Sequence, residues 1–458
     1  MHSWPQVLMH TALVLAMLLI LQPAVAQSVD RGGGSSARDQ GQAVSQLDPA
    51  GARTYARDDT TETGGWTGEN MHPNRSPYRS DRSFGRHLLA VPSYVVFGVT
   101  RPLGWGVKYL EREFPALFEP QLPVRGVLPL VELGGPVGVQ GGFALFDHDL
   151  FGIGHDAQLS AIYGSRSRYE IDLDYGFREA FGPRVDLAIN AELFTNPERR
   201  FFLDGNDARP SDETRYFIRQ LSSRARLGLN PSSWSSGGVD LVYSRTQTKP
   251  ADGVLGGRLP PDLPGLNRVI QLLTLETTWR LGNPRQLRQR TVSGTRLVVD
   301  GRYSHDLNSA DFRHVFYGLE VQQYVPLGIL PPTRRLALRA RVEKVEPVWG
   351  GASVPFFRFP GAGGQNTVRS LVFERFVQEG ALIVNAEYNY PIWNLMDAVV
   401  FADAGQVFNE FEEIAPDRFR YSHGGGIRVI RGGKLAFRFE VAVGEGNVRT
   451  ILTVNQFL

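Results

Sequence analysis

The sequence contains no cysteine. That excludes a disulfide framework, a thiol nucleophile, an iron–sulfur cluster, a thiolate zinc site and a lipid-anchored cysteine behind a leader. Lysine is nearly absent, with only Lys108, Lys249, Lys344 and Lys434 among the 49 basic residues, so the cations are almost all arginine. The formal charge is only +2, with no basic stripe, and nucleic acid is therefore not an expected partner. Beyond residue 26 there is also no uncharged apolar run of 18 residues. The best stretch, His87 to Val99, is broken by Pro92, so no helix is expected to span a bilayer. Gly-x-Ser-x-Gly, Walker and dinucleotide motifs in strand–turn–helix context are missing, and His305, His314 and His423 stand isolated, so neither an enzyme nor a cofactor is expected. One dense His/Asp cluster runs through Asp147, His148, Asp149, His155 and Asp156. Its glycines Gly152 and Gly154 mark a tight turn, which explains the spacing better than metal ligation does.

What is present begins with a leader. Thr11 to Leu21 is a short apolar core, and Ala24-Val25-Ala26 is a small-x-small cleavage site before Gln27, although the preceding residues carry His2 and His10 rather than Lys or Arg. Residues 1–26 thus read as a signal peptide. Residues 27–83 hold polar runs such as Arg31-Gly32-Gly33-Gly34-Ser35-Ser36 and too little aliphatic surface to offset the entropy of ordering them; a disordered periplasmic tether is expected. Residues 84–121 form a lead-in, where Val107, Leu110 and Phe114 alternate with Lys108, Glu111, Arg112 and Glu113 in a possible short helix ahead of Pro115.

From residue 122 the dominant period is two. Tyr169, Ile171, Leu173, Tyr175 and Phe177 share one face of an extended segment, while Glu170, Asp172 and Asp174 share the other. The same pattern recurs at 273–281, 315–322, 384–390 and 435–443. Strands are expected near 122–132, 136–146, 157–165, 168–179, 183–195, 214–229, 237–247, 269–281, 294–305, 310–325, 335–347, 380–391, 396–406, 418–430, 434–444 and 448–458. Many exceed the five or six residues usual in soluble sandwiches and are long enough to cross a bilayer at a tilt. Lipid offers the backbone no hydrogen-bond partners, so apolar-out, polar-in strands demand a closed sheet. The expected fold is all-β, a transmembrane antiparallel β-barrel of about sixteen strands over 122–458. If the first strand rises from the periplasm, the long connections 196–213, 248–268 and 348–379 face outside. Connections 147–156 and 282–293, on the inner side, are expected to be longer than usual turns.

The most informative connection reads Phe359-Pro360-Gly361-Ala362-Gly363-Gly364-Gln365-Asn366-Thr367-Val368-Arg369-Ser370-Leu371. It is followed by strands carrying Glu387 and Phe401-x-Asp403-x-Gly405. Here the chain resembles the Omp85 superfamily, the BamA/TamA-like or bacterial surface antigen barrels of the outer membrane. The resemblance implies that Gly363 and Gly364 let a sixth loop fold into the lumen, where Arg369, following Val368, pairs with Asp403 and with Glu387 as the second acid. Ser370 and Leu371 stand where the family usually has glycine and an aromatic residue. The Asn-Leu-Phe-Gly-x-Gly turn of the family is matched in part at Asp149 to Gly154. At the closing seam the first strand holds Gly126 and Pro129, the latter unable to donate a ladder hydrogen bond. The last strand ends in Phe457 and Leu458, where the family usually ends on an aromatic residue.

The resemblance implies assistance to protein insertion or translocation at the outer membrane. Family members receive clients on POTRA modules, but the stretch between Gln27 and the barrel, with about 40 foldable residues, shows no βααββ pattern. A separate periplasmic receptor is the expected partner, beside client proteins, outer-membrane lipid and lipopolysaccharide. The competing reading is a passive channel or structural surface protein, its lumen lined by Glu170, Asp172, Asp174, Arg224, Arg226, Arg339, Arg341, Arg438 and Glu440.

Overall fold

A computed structural model describes residues 124–134, 138–152, 154–251, 259–287, 290–309, 311–327, 334–348, 351–392, 395–431 and 434–454. The expected signal peptide, tether and lead-in helix, with Phe457 and Leu458, lie outside the described residues. Among the described residues there are nineteen strands, three of them only two or three residues long, and the other sixteen form one antiparallel wall. They are β1 (Arg125–Gly134), β2 (Gly138–Leu150), β3 (His155–Gly164), β4 (Arg168–Phe177), β5 (Val185–Phe202), β6 (Glu213–Ser232), β7 (Ser235–Pro250) and β8 (Val269–Gly282) in the first half. The second half holds β9 (Arg290–Asp306), β10 (Arg313–Pro326), β11 (Arg335–Pro347), β12 (Gly380–Pro391), β13 (Met396–Phe408), β14 (Arg420–Arg431), β15 (Lys434–Gly444) and β16 (Asn447–Val454). The described residues contain no α-helix.

Each strand pairs with the next along the chain, and registers place like with like. Leu173 of β4 sits between Leu159 of β3 and Ala191 of β5, while Asp172 sits between Ser160 and Glu192. The outward row is apolar on strand after strand: Val127, Leu159, Leu173, Ile189, Leu221, Leu241, Leu275, Val299, Leu338, Val384 and Val400 are all exposed. The inward row carries the charges, and these are neutralised by neighbours across the ladder. Arg224 meets Asp240 at 2.9 Å and Glu276 at 3.1 Å; Arg339 meets Glu320 at 2.7 Å. A sheet that is greasy outside and ion-paired inside is the arrangement required when hydrocarbon replaces water on the convex face.

Three expectations change in detail. The 147–156 connection is not a long loop: β2 runs on to Leu150, past an irregularity between Asp147 and Leu150, and leaves a tight turn with φ of 65° at Phe151, 71° at Gly152 and 72° at Gly154. The 282–293 connection is a hairpin, in which Arg285–Leu287 pairs with the first residues of β9. And β5 extends to Phe202, beyond the polar run that hides it in the sequence, by a bulge between Asn196 and Arg199.

β1 and β16 lie side by side where the barrel closes, but no ladder joins them among the described residues. Their other edges are fully registered, β1 on β2 and β16 on β15.

Candidate functional site

The connection between β11 and β12 narrows to a neck where Gly361–Ala362 pairs with Phe376–Val377. Its tip, residues 363–375, turns back into the barrel. Two glycines permit the reversal: Gly363 has φ of 124° and Gly364 of 114°, and a Cβ on Gly363 would lie 2.3 Å from the Val372 carbonyl oxygen. The Thr367 hydroxyl accepts from the Gly363 amide at 2.9 Å and fixes the turn.

At the tip Arg369 is 3% exposed and faces three carboxylates from three strands. Its Nη2 donates to Glu387 of β12 at 2.5 Å and lies 3.0 Å from Asp403 Oδ1 of β13; its Nη1 donates to Glu440 of β15 at 3.3 Å. The backbone amide of Arg369 adds a bond to Asp403 Oδ2 at 3.2 Å. The guanidinium also lies over the Phe401 ring, 3.7 Å from its centroid, so Phe401 forms the floor of the site.

Two further arginines complete the cluster. Arg428 of β14 bonds both oxygens of Glu387 at 2.8 Å and reaches Glu440 Oε1 at 2.7 Å; Arg438 of β15 donates to Glu440 at 2.7 Å. Three arginines thus balance Glu387, Asp403 and Glu440, and a buried cluster of this kind is tolerable because no charge is left over. Backbone contacts extend the grip. Arg339 of β11 donates to the Asn366 carbonyl at 2.7 Å, Arg438 to the Gln365 carbonyl at 2.7 Å, and Asn385 of β12 to the Thr367 carbonyl at 2.8 Å. Ser370 donates its amide to Ser422 of β14 at 3.1 Å, and Thr453 of β16 bonds the Gln365 side chain at 3.1 Å. One short segment therefore ties together every strand from β11 to β16.

Packing explains the remaining motif positions. Val368 and Leu371 are buried with Ala362, Phe376, Ala381, Ile383 and Val407. Gly405 leaves the space that Val368 fills, since a Cβ there would come within 2.7 Å of the valine methyl. Leu371 thus uses its side chain as an apolar anchor in this cluster. Higher in the barrel Phe356 packs against Phe201 and Tyr216 with Leu259 and Leu266, so the connections after β5 and β7 join loop six in filling the long-loop end. The loop after β5 is tied in by Asn206, whose side chain bonds both backbone groups of Val407 at 2.6 and 3.0 Å. Arg375 donates to the Ala208 carbonyl at 2.7 Å, and burial pushes its guanidinium below the ordinary value.

The residues singled out from the sequence thus fall into two places. Arg369, Glu387, Asp403, Gly363, Gly364, Val368, Phe401 and Gly405 converge on one site. Gly126 and Pro129 lie on β1 opposite Phe146 and Phe143 of β2. The His148 amide donates to the Val124 carbonyl at 2.7 Å, which makes the even-numbered residues of β1 the ones bonded to β2. Pro129 is odd-numbered, so its missing N–H is on the seam side. Sequence reading assigned Arg339, Arg438 and Glu440 to the lining only, gave Gln365 no role within the loop motif, and missed Arg428. It also missed a second buried group at the short-turn end, where Arg290 donates to Asp397 at 2.7 Å across four strands, with Arg335 at 3.6 Å. For Arg290 no motif offers a cue, and β9 and β13 share no ladder, so no pairing register encodes the contact either.

Residues 149–450 match the Omp85 superfamily domain. Among solved structures the fold is similar to BamA from Haemophilus ducreyi lacking POTRA domains 1–3, with a TM-score of 0.54 and 14% identity over 73% of this chain and 69% of that one. CdiB from Acinetobacter baumannii aligns with a TM-score of 0.44 at 14% identity, over 73% of this chain and 57% of that one. CdiB from Escherichia coli aligns at 0.47 and 10%, over 74% and 61%, so the chain spans less than two thirds of either CdiB. No match is found among curated protein sequences.

Proposed function

The chain belongs to the Omp85 superfamily of outer-membrane β-barrels, and on that premise we propose that it assists the insertion of proteins into, or their translocation across, the bacterial outer membrane. The observation that carries the reading is the Arg369 site, which fastens loop six to β12, β13 and β15. A wall made rigid up to β16 ends at a seam where Pro129 withholds a donor from the closing ladder. The weakest line in the barrel is then defined in advance. Opening along it exposes the edges of β1 and β16, and an exposed edge can pair with an extended client strand through backbone hydrogen bonds. Clients, and a separate periplasmic receptor that delivers them, are the partners this mechanism needs. No catalytic group or cofactor takes part.

Two measurements on the same preparation test the proposal. Liposomes carrying the protein are expected to accelerate folding of an added outer-membrane barrel client over empty liposomes, and planar bilayers are expected to show little steady conductance because loops fill the long-loop end. Robust open-channel current with no acceleration of client folding would overturn the reading in favour of a passive channel.

A further inference from the structure

The arginines inside the barrel described above have acidic or carbonyl partners; two described arginines on the outer face near the long-loop end do not. Arg219 of β6 and Arg245 of β7 are exposed and point outward, and among the described residues neither has an ion-pair partner. The register sets Arg219 opposite Gln247 and Arg245 opposite Leu221, so the two are diagonal neighbours, a position in general about 7–8 Å apart and within reach of long side chains. Below them on the same face lie Leu221, Leu227, Val239, Leu241, Leu273 and Leu275, all exposed. The guanidinium pair therefore stands at the upper margin of the apolar belt, on the side of the long loops. Nearby outward cations are already engaged: Arg215 meets Glu198 at 2.8 Å and Glu213 at 3.0 Å, and Arg200 meets Glu213 at 3.4 Å.

We infer that Arg219 and Arg245 form the phosphate-binding part of a lipid headgroup site, occupied by the phosphorylated glycolipid of the outer leaflet. This rests on the membrane reading above, which puts the long loops outside. Arginine stems lie along hydrocarbon while their heads reach the headgroup plane, which is where this pair stands. The guanidinium fork matches phosphate oxygens in a bidentate way. A phosphomonoester, carrying a charge between −1.5 and −2 in general near neutrality, can engage two such forks, whereas the single charge of a phosphodiester engages one. The pair lies on β6 and β7, six strands round the wall from the β1 edge of the seam. Its occupant would hold that wall against the leaflet while the seam opens.

The full chain, folded in detergent, is titrated separately with bisphosphoryl lipid A, monophosphoryl lipid A and phosphatidylglycerol, and retained lipid is read by native mass spectrometry. Both lipid A forms, which carry a phosphomonoester, are expected to bind more tightly than phosphatidylglycerol, a phosphodiester. Arg219→Gln and Arg245→Gln are each expected to weaken bisphosphoryl binding about tenfold, and together to abolish the preference over phosphatidylglycerol. Arg178→Gln, at the short-turn end, should leave it unchanged. Bisphosphoryl lipid A bound no tighter than phosphatidylglycerol, or a double variant as selective as the parent, overturns the site. Heat-modifiable migration on semi-native gels, run on the same samples, separates the two levels: a folded barrel without the preference sinks the site alone, while a chain soluble without detergent sinks the membrane reading with it.

Discussion

Arg369 is a single side chain on which a large part of the loop's position depends, and its removal has a calculable sign. Arg369→Ala leaves Glu387, Asp403 and Glu440 with one cation fewer in a buried site, and breaking a buried charge cluster in this way costs about 3–5 kcal/mol. The expected outcome is a lower temperature for loss of the heat-modifiable folded form and faster proteolysis within residues 360–372; protection equal to the parent would refute the lock. Arg369→Lys keeps the charge but reaches fewer carboxylates than a planar fork, so its melting temperature should fall between the two. Gly405→Val probes packing without touching charge. The added side chain meets Val368 and Ile383, both of which already crowd the glycine, and overpacking of this kind costs about 1–3 kcal/mol. Thermal denaturation in detergent micelles checks it, and a Gly405→Val protein as stable as the parent would mean that Val368 can withdraw.

The elements were legible in the sequence to unequal degrees. Period two announced the strands wherever lipid and lumen faces differed chemically, and β11, β12 and β15 begin and end where alternation begins and ends. It gave out where chemistry ceased to alternate. Asn196, Glu198, Arg199 and Arg200 look like loop, yet they continue β5 through a bulge, because this part of the strand pairs with β6 beyond the apolar belt and polar side chains there are unopposed by hydrocarbon. The loop-six site was readable as Arg369 with two acids, since those lie in local motifs. Arg428 and Glu440 join them only through the β14–β15 register, which no local pattern encodes. The seam makes its own prediction. Because the chain has no cysteine, a cysteine placed within 125–134 and another within 447–454 can be screened for a cross-link without background. A β1–β16 disulfide is expected to abolish acceleration of client folding, and reductant is expected to restore it. Cross-linked protein that works at the parental rate would remove the seam from the mechanism.

At the scale of the whole molecule, a moderate hydropathy conceals a membrane barrel, because only one face of each strand needs to be apolar. The ion pairs inside do not stabilise the barrel by their number. They allow a charged interior to exist while three loops and the Arg369 cluster fill it, and the apolar belt outside fixes where the molecule sits. The central claim is that hydrocarbon wets the outward row. A single-cysteine scan of β7, residues 237–247, with a nitroxide label on protein reconstituted in liposomes, measures this directly. Collision with oxygen, the lipid-phase quencher, is expected to peak at Val239, Leu241 and Tyr243 with minima at Asp240 and Val242. Outward labels accessible to a water-soluble quencher, with no alternation of period two, would contradict it.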